Sequence, residues 1–134
     1  MAVIDLIEDG CTESTYFKAA PGLYPEVRYW RRPMTVTERN ALLRRVSARI
    51  SAGQDASNIV ADELAARVQD WDLQDRSGNL IDITPANLLR LPPELFDRMY
   101  SVLRGQDGGD IDPLKKDEPD VGPLEKTEEA REKN

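Results

Sequence analysis

Seven arginines, Arg28, Arg31, Arg32, Arg39, Arg44, Arg45 and Arg49, fall within 22 residues, and Tyr29 and Trp30 are interleaved with the first of them. A guanidinium offers a planar fork of donors to phosphates or carboxylates, and an aromatic face stacks on a base or fills a protein pocket. Two chemistries follow. One is a grip on single-stranded nucleic acid through phosphate contacts and stacking. The other is a protein contact of the Arg/Trp type that dominates binding hot spots. A helical projection spreads Arg44, Arg45 and Arg49 over a broad polar arc, the usual outside of an amphipathic helix, and nearby acids compete for them. Protein contact is the preferred reading. Its candidate partner-binding residues are Arg28, Trp30, Arg31, Arg32 and Arg39.

Catalytic chemistry has little to build on. The chain has no histidine, the commonest general base and metal ligand near neutral pH. Asp70, Asp72 and Asp75 cluster around the stretch after Trp71, but without the spacing of a calcium loop, and read as a solvated turn. Ser77-Gly78 lacks the nucleophile-elbow pattern, and no glycine-rich phosphate loop is present. The single cysteine, Cys11, excludes an intrachain disulfide and any multi-cysteine metal site. We expect no enzyme activity, no cofactor and no metal.

Charge is distributed unevenly along the 134 residues. Residues 106–134 hold ten Asp/Glu against five Lys/Arg and supply −5 of the formal −7, while residues 1–105 carry fifteen acids and thirteen bases. The near balance of the body argues against a strongly basic nucleic-acid binder. The last 29 residues have only five apolar side chains, too few to offset the entropy of ordering, so a disordered acidic tail is expected over 106–134. Residues 1–12 read as a flexible arm and residues 13–105 as one folded domain. The N-terminus carries acids where a secretory signal needs basic residues, and no run of roughly 18 apolar residues marks a membrane span. A soluble, cytoplasmic protein is expected.

The elements that would position these residues begin with β texture. Thr15–Lys18 and Val27–Arg32 are candidate strands around a Pro21-Gly22 turn, the second placing Val27, Tyr29 and Arg31 on one face and Arg28, Trp30 and Arg32 on the other. Pro33 ends it. Thr35 and Glu38 then form a capping box for a helix whose apolar stripe is Leu42, Leu43, Val46 and Ile50, stopped by Gly53. Asp55 or Ser57 caps a second helix running to about Asp70, with Val60, Leu64, Val68 and Trp71 on one face. The two helices are expected to pair antiparallel. Residues 71–83 suggest a small hairpin or extended corner around Gly78-Asn79. Thr84-Pro85 opens one helical turn, and a last helix from Pro93 to Arg104 carries Leu95, Phe96, Met99, Val102 and Leu103. Trp71 reads as core; Trp30, among arginines, reads as equally suited to core or contact. The expected fold is mainly α, a small helical domain with a short N-terminal β-hairpin-like element.

Two stretches in order resemble the tail assembly chaperones of long-tailed bacteriophages. The first is Val27-Arg28-Tyr29-Trp30-Arg31-Arg32-Pro33-Met34-Thr35. The second is Val68-Gln69-Asp70-Trp71-Asp72-Leu73, followed by Gly78, Ile83-Thr84, Leu88-Leu89 and Leu91-Pro92. The likeness covers about residues 15–104. It implies a small, mostly helical, non-enzymatic factor of the bacterial host cytoplasm that binds the aggregation-prone tape measure protein and helps tail tube protein polymerise around it. It also implies that a longer, frameshifted form exists in many members, for which Lys115-Lys116 suggests a slippery codon run. Two rival expectations stand beside it, a structural tail or head–tail connector subunit of the virion and an arginine-rich nucleic-acid binder; a homo-oligomer formed through an open strand edge is compatible with any of the three.

Overall fold

β-branched and aromatic residues concentrate at the front of the chain, in Glu13–Phe17 and Val27–Arg31, and these segments form β1 and β2. The computed structural model describes residues 2–4, 6, 7 and 10–115. β2 is the centre of a three-stranded antiparallel sheet, with β1 on one side and β3, Val68–Trp71, on the other. Between β2 and β3 run α1, Val36–Ser51, and α2, Ser57–Arg67; α3, Pro85–Leu88, α4, Pro93–Leu103, and a 3-10 turn, Pro113–Lys115, follow.

The mainly α expectation is corrected by this sheet: the fold is a mixed α/β domain, although the N-terminal hairpin is present as anticipated. The error lies in residues 68–71. Val60, Leu64, Val68 and Trp71 keep a helical spacing, yet α2 stops at Arg67 and Val68 is already extended, with φ −72° and ψ 119°. Tyr29 pairs with Trp71 and Trp30 with Asp70, but Arg31 pairs with Val68, so Gln69 is the extra residue of a bulge. A bulge reverses the strand's alternation. Val68 and Trp71, three apart, therefore both point inward.

The sheet's inner face carries Phe17, Val27, Tyr29 and Trp71 against Leu42 of α1, Leu64 of α2 and Leu95 and Met99 of α4. Each such large side chain contributes about 1.5–3 kcal/mol on burial. The Trp71 indole N–H donates to the Ile81 carbonyl at 2.7 Å, so the corner after β3 supplies the hydrogen bond that a buried tryptophan requires. Thr35 and Glu38 form the anticipated capping box of α1. The apolar stripe of α1 is shorter than expected, because only Leu42 and Val46 are buried and Ile50 is 63% exposed. The α2 cap also differs: the N-cap is Ala56, and the Asp55 carboxylate accepts from the Ser57 backbone N–H and hydroxyl just ahead of the helix.

The segment that opens the expected tail is bound to the sheet. Residues 107–112 run beside β1, where the Asp110 N–H donates to the Tyr16 carbonyl at 2.7 Å. The remainder of that expected tail, 116–134, lies outside the described residues, as do residues 1, 5, 8 and 9 of the expected arm. Among the described residues, no helix is long and apolar enough to cross a membrane.

Candidate protein-binding surface

Alternation along β2 sends Arg28 and Trp30 to the outer face of the sheet. Register places Tyr16 beside Arg28, and Ser14 and Asp70 on either side of Trp30. Trp30 is 40% exposed, an unusual position for the largest apolar side chain type, and stands at the middle of this face. Arg28 is not free to match it. Its Nε and Nη2 both donate to Asp112 at 3.0 Å, its Nη1 lies 3.6 Å from Glu26, and its guanidinium sits 4.8 Å from the centroid of the Tyr16 ring. Tyr16 donates to Glu26 at 2.6 Å, and that hydrogen bond, with burial second, pushes its hydroxyl up to about 12.

The remaining candidates are dispersed. Arg31 shares the inner side of β2 with Tyr29, where it pairs with Glu13 at 3.0 Å and donates to the Thr15 hydroxyl at 3.3 Å. Arg32 donates to the Ala66 carbonyl at 2.6 Å, and its backbone N–H to the Arg67 carbonyl at 2.9 Å, so it fastens the end of β2 to the end of α2. Arg39 lies half-buried in the first turns of α1. Of the five residues, the structure thus brings Arg28 and Trp30 onto one face and uses Arg31 and Arg32 to hold the sheet.

Two arginines outside the candidate set each hold two carboxylates. Arg67 is 8% exposed and bridges Glu63 at 2.6 Å, Glu38 at 3.3 Å and the Pro33 carbonyl at 3.1 Å. The backbone N–H of Thr35, with Arg67 also contributing, holds the Glu38 carboxyl below its usual range. Arg98 of α4 lies 4.2 Å over the Phe17 ring and grips two carboxylates, Asp107 at 2.8 Å and Asp110 at 3.0 Å. Those ion pairs lower both carboxyls and raise the guanidinium. Neither arginine stands out in the sequence: each is a lone cation inside a helix. The one available signal was the D-x-x-D-x-D spacing of Asp107, Asp110 and Asp112, hidden within an acidic, poorly apolar stretch.

The turn after β3 does structural work with its acids. Asp72 accepts from the Arg28 backbone N–H at 3.0 Å, and Asp75 accepts from the N–H groups of Ser77 and Asn79. Among the described residues, no group of three His, Cys, Asp or Glu side chains is placed to hold a metal ion. Chemically, this face offers one large exposed aromatic, Trp30, and one arginine, Arg28, already committed to the carboxylates of Asp112 and Glu26. Comparison of the chain with protein-family models, curated proteins and solved structures finds no match.

Proposed function

We propose that this chain is a non-enzymatic assembly factor of the phage tail assembly chaperone type, which holds the tape measure protein and assists tail tube assembly. The observation that carries the reading is Trp30, 40% exposed at the centre of the outer sheet face with Ser14 and Asp70 as its cross-strand neighbours. A chaperone of a long aggregation-prone client needs an exposed aromatic or apolar grip and a net charge that keeps the complex in solution. Trp30 suits the first requirement and the formal charge of −7 the second. The nucleic-acid alternative loses support, because Arg28, Arg31 and Arg32 are engaged by Asp112, Glu13 and the Ala66 carbonyl.

One observation favours a second reading, a structural tail or connector subunit. Val3, Ile4 and Leu6 are 93%, 83% and 79% exposed, and an arm of that kind suits burial on a neighbouring subunit. Co-expression with the tape measure protein of the same genome separates the two. The chaperone reading expects the tape measure protein to remain soluble and to co-purify with this chain, and expects the chain to be missing from purified particles. An insoluble, uncomplexed tape measure protein would overturn it, and recovery of the chain in particles would establish the structural reading.

A further inference from the structure

Residues 107–112 sit against the domain as a ligand sits in a site. Three carboxylates at i, i+3 and i+5 meet two arginines from different elements: Asp107 and Asp110 meet Arg98 of α4, and Asp112 meets Arg28 of β2. The Asp110 carboxylate accepts from the Lys18 backbone N–H at 2.9 Å while its own N–H donates to the Tyr16 carbonyl, so one residue addresses both a cation and the open edge of β1. Arg98 also donates to the Tyr24 hydroxyl at 3.2 Å, which helps fix the fork. Gly109 makes this approach feasible. Its φ is +83°, and a Cβ there would come within 2.9 Å of the Tyr16 carbonyl oxygen.

The same segment is held by its ion pairs and by two hydrogen bonds at the edge of β1, with no buried apolar side chain. Its apolar residues face water, Ile111 at 86% exposure and the following Leu114 at 77%. The carboxylate-bearing side chains of Asp107 and Asp110 are about a quarter exposed, 26% and 25%, while that of Asp112 is 11% exposed. Partly exposed ion pairs are weakened by salt, and a segment with no apolar anchor opens at far lower free energy than the core.

We propose that the Arg98–Arg28 face beside β1 is a docking site for an extended acidic, glycine-containing peptide segment of a partner protein, and that residues 107–112 occupy it in cis. The pattern D-x-G-D-x-D, read from the strap, defines the ligand: carboxylates for two guanidinium forks and a glycine against Tyr16. A tethered segment competes at an effective concentration on the order of millimolar, so the site is closed to weak ligands until the strap is displaced. This proposal is independent of the tape measure reading, which rests on Trp30.

The test uses the full chain with Asp107→Asn, Asp110→Asn and Asp112→Asn together, and a labelled synthetic peptide of residues 105–115, followed by fluorescence anisotropy at low salt. The variant binds the peptide at least about tenfold more tightly than the wild-type chain does. Adding Arg98→Gln, or placing alanine for glycine at the position of Gly109 in the peptide, reverses the gain by a similar factor. No difference between variant and wild type overturns the proposal. Hydrogen exchange on the unmodified chain tests it without substitutions. The amides of Lys18 and Asp110 exchange at least about tenfold faster than the mid-helix amides of Leu64 and Met99, and faster still as salt is raised. Equal protection, insensitive to salt, would make the strap a permanent part of the fold and sink the idea.

Discussion

Arg67 Nη1 donates to the carbonyl of Pro33 at 3.1 Å, joining the end of α2 to the linker that leaves β2. The same guanidinium meets Glu63 and Glu38, so one side chain fastens the two helices and the sheet at a single corner. Removing one member of a buried, hydrogen-bonded charge group leaves the others uncompensated, at a cost of about 3–5 kcal/mol. Glu38 is half exposed, which places the expected loss for Arg67→Ala near the lower end, about 3 kcal/mol in urea denaturation. Arg67→Lys recovers only part of it, because an ammonium cannot span three acceptors as a planar fork does. A loss below about 1 kcal/mol for Arg67→Ala would mean the corner is held by backbone bonds alone.

Tyr29 gives the opposite prediction. Its hydroxyl belongs to a residue at 0% exposure and makes no well-formed hydrogen bond among the described residues, although the Thr15 hydroxyl comes close enough to act weakly on its ionisation. Burial also pushes its ionisation upward, so the phenol stays neutral through the ordinary pH range. A buried polar group without a partner carries a desolvation cost of about 1–3 kcal/mol. Tyr29→Phe therefore leaves stability unchanged or raises it by up to about 1 kcal/mol, read as a shift in denaturation midpoint. A clear loss would reveal a partner for the hydroxyl.

The strap is sensitive to acid. Asp107 and Asp110 are depressed first by Arg98, and Asp110 also by the Lys18 backbone N–H and ammonium. Asp110 in turn raises Asp107, and Tyr24 joins the group through its hydrogen bond from Arg98. A carboxyl with a lowered folded value contributes stability that is complete above its unfolded value, about 3.9, and is lost as pH falls through the folded value. Amide shifts of Lys18 and Asp110 should hold steady down to about pH 4 and change only below it. Detachment centred well above pH 4 would contradict the ion pairs.

Parts of this fold were legible because their signals are local. Thr35 and Glu38 announced α1 through reciprocal backbone bonds, and Thr84-Pro85 announced α3. The strand containing Tyr29 and Trp30 was equally plain in its alternation. β3 was not, because the bulge at Gln69 places Val68 and Trp71 on one side with a spacing that belongs to helices. The site was legible only in part. Arg28 and Trp30 were found by their types, and alternation already set Arg31 on the opposite face from Arg28, but nothing local showed that Glu13 would hold Arg31 or that Asp112 would hold Arg28. Arg98 and its aspartates were missed because their partnership spans chain segments, and acidic residues beside glycines carry the composition of a tail.

The central claim is that the outer sheet face around Trp30 grips a protein client. The direct measurement is co-purification of the tape measure protein with the Trp30→Ala chain, alongside a denaturation curve of that variant. Because Trp30 is already 40% exposed, its truncation should cost at most about 1 kcal/mol of stability. The account predicts a folded variant that recovers at least about tenfold less tape measure protein, the size expected for loss of an aromatic hot spot. A folded variant that recovers as much client as the wild-type chain would contradict it.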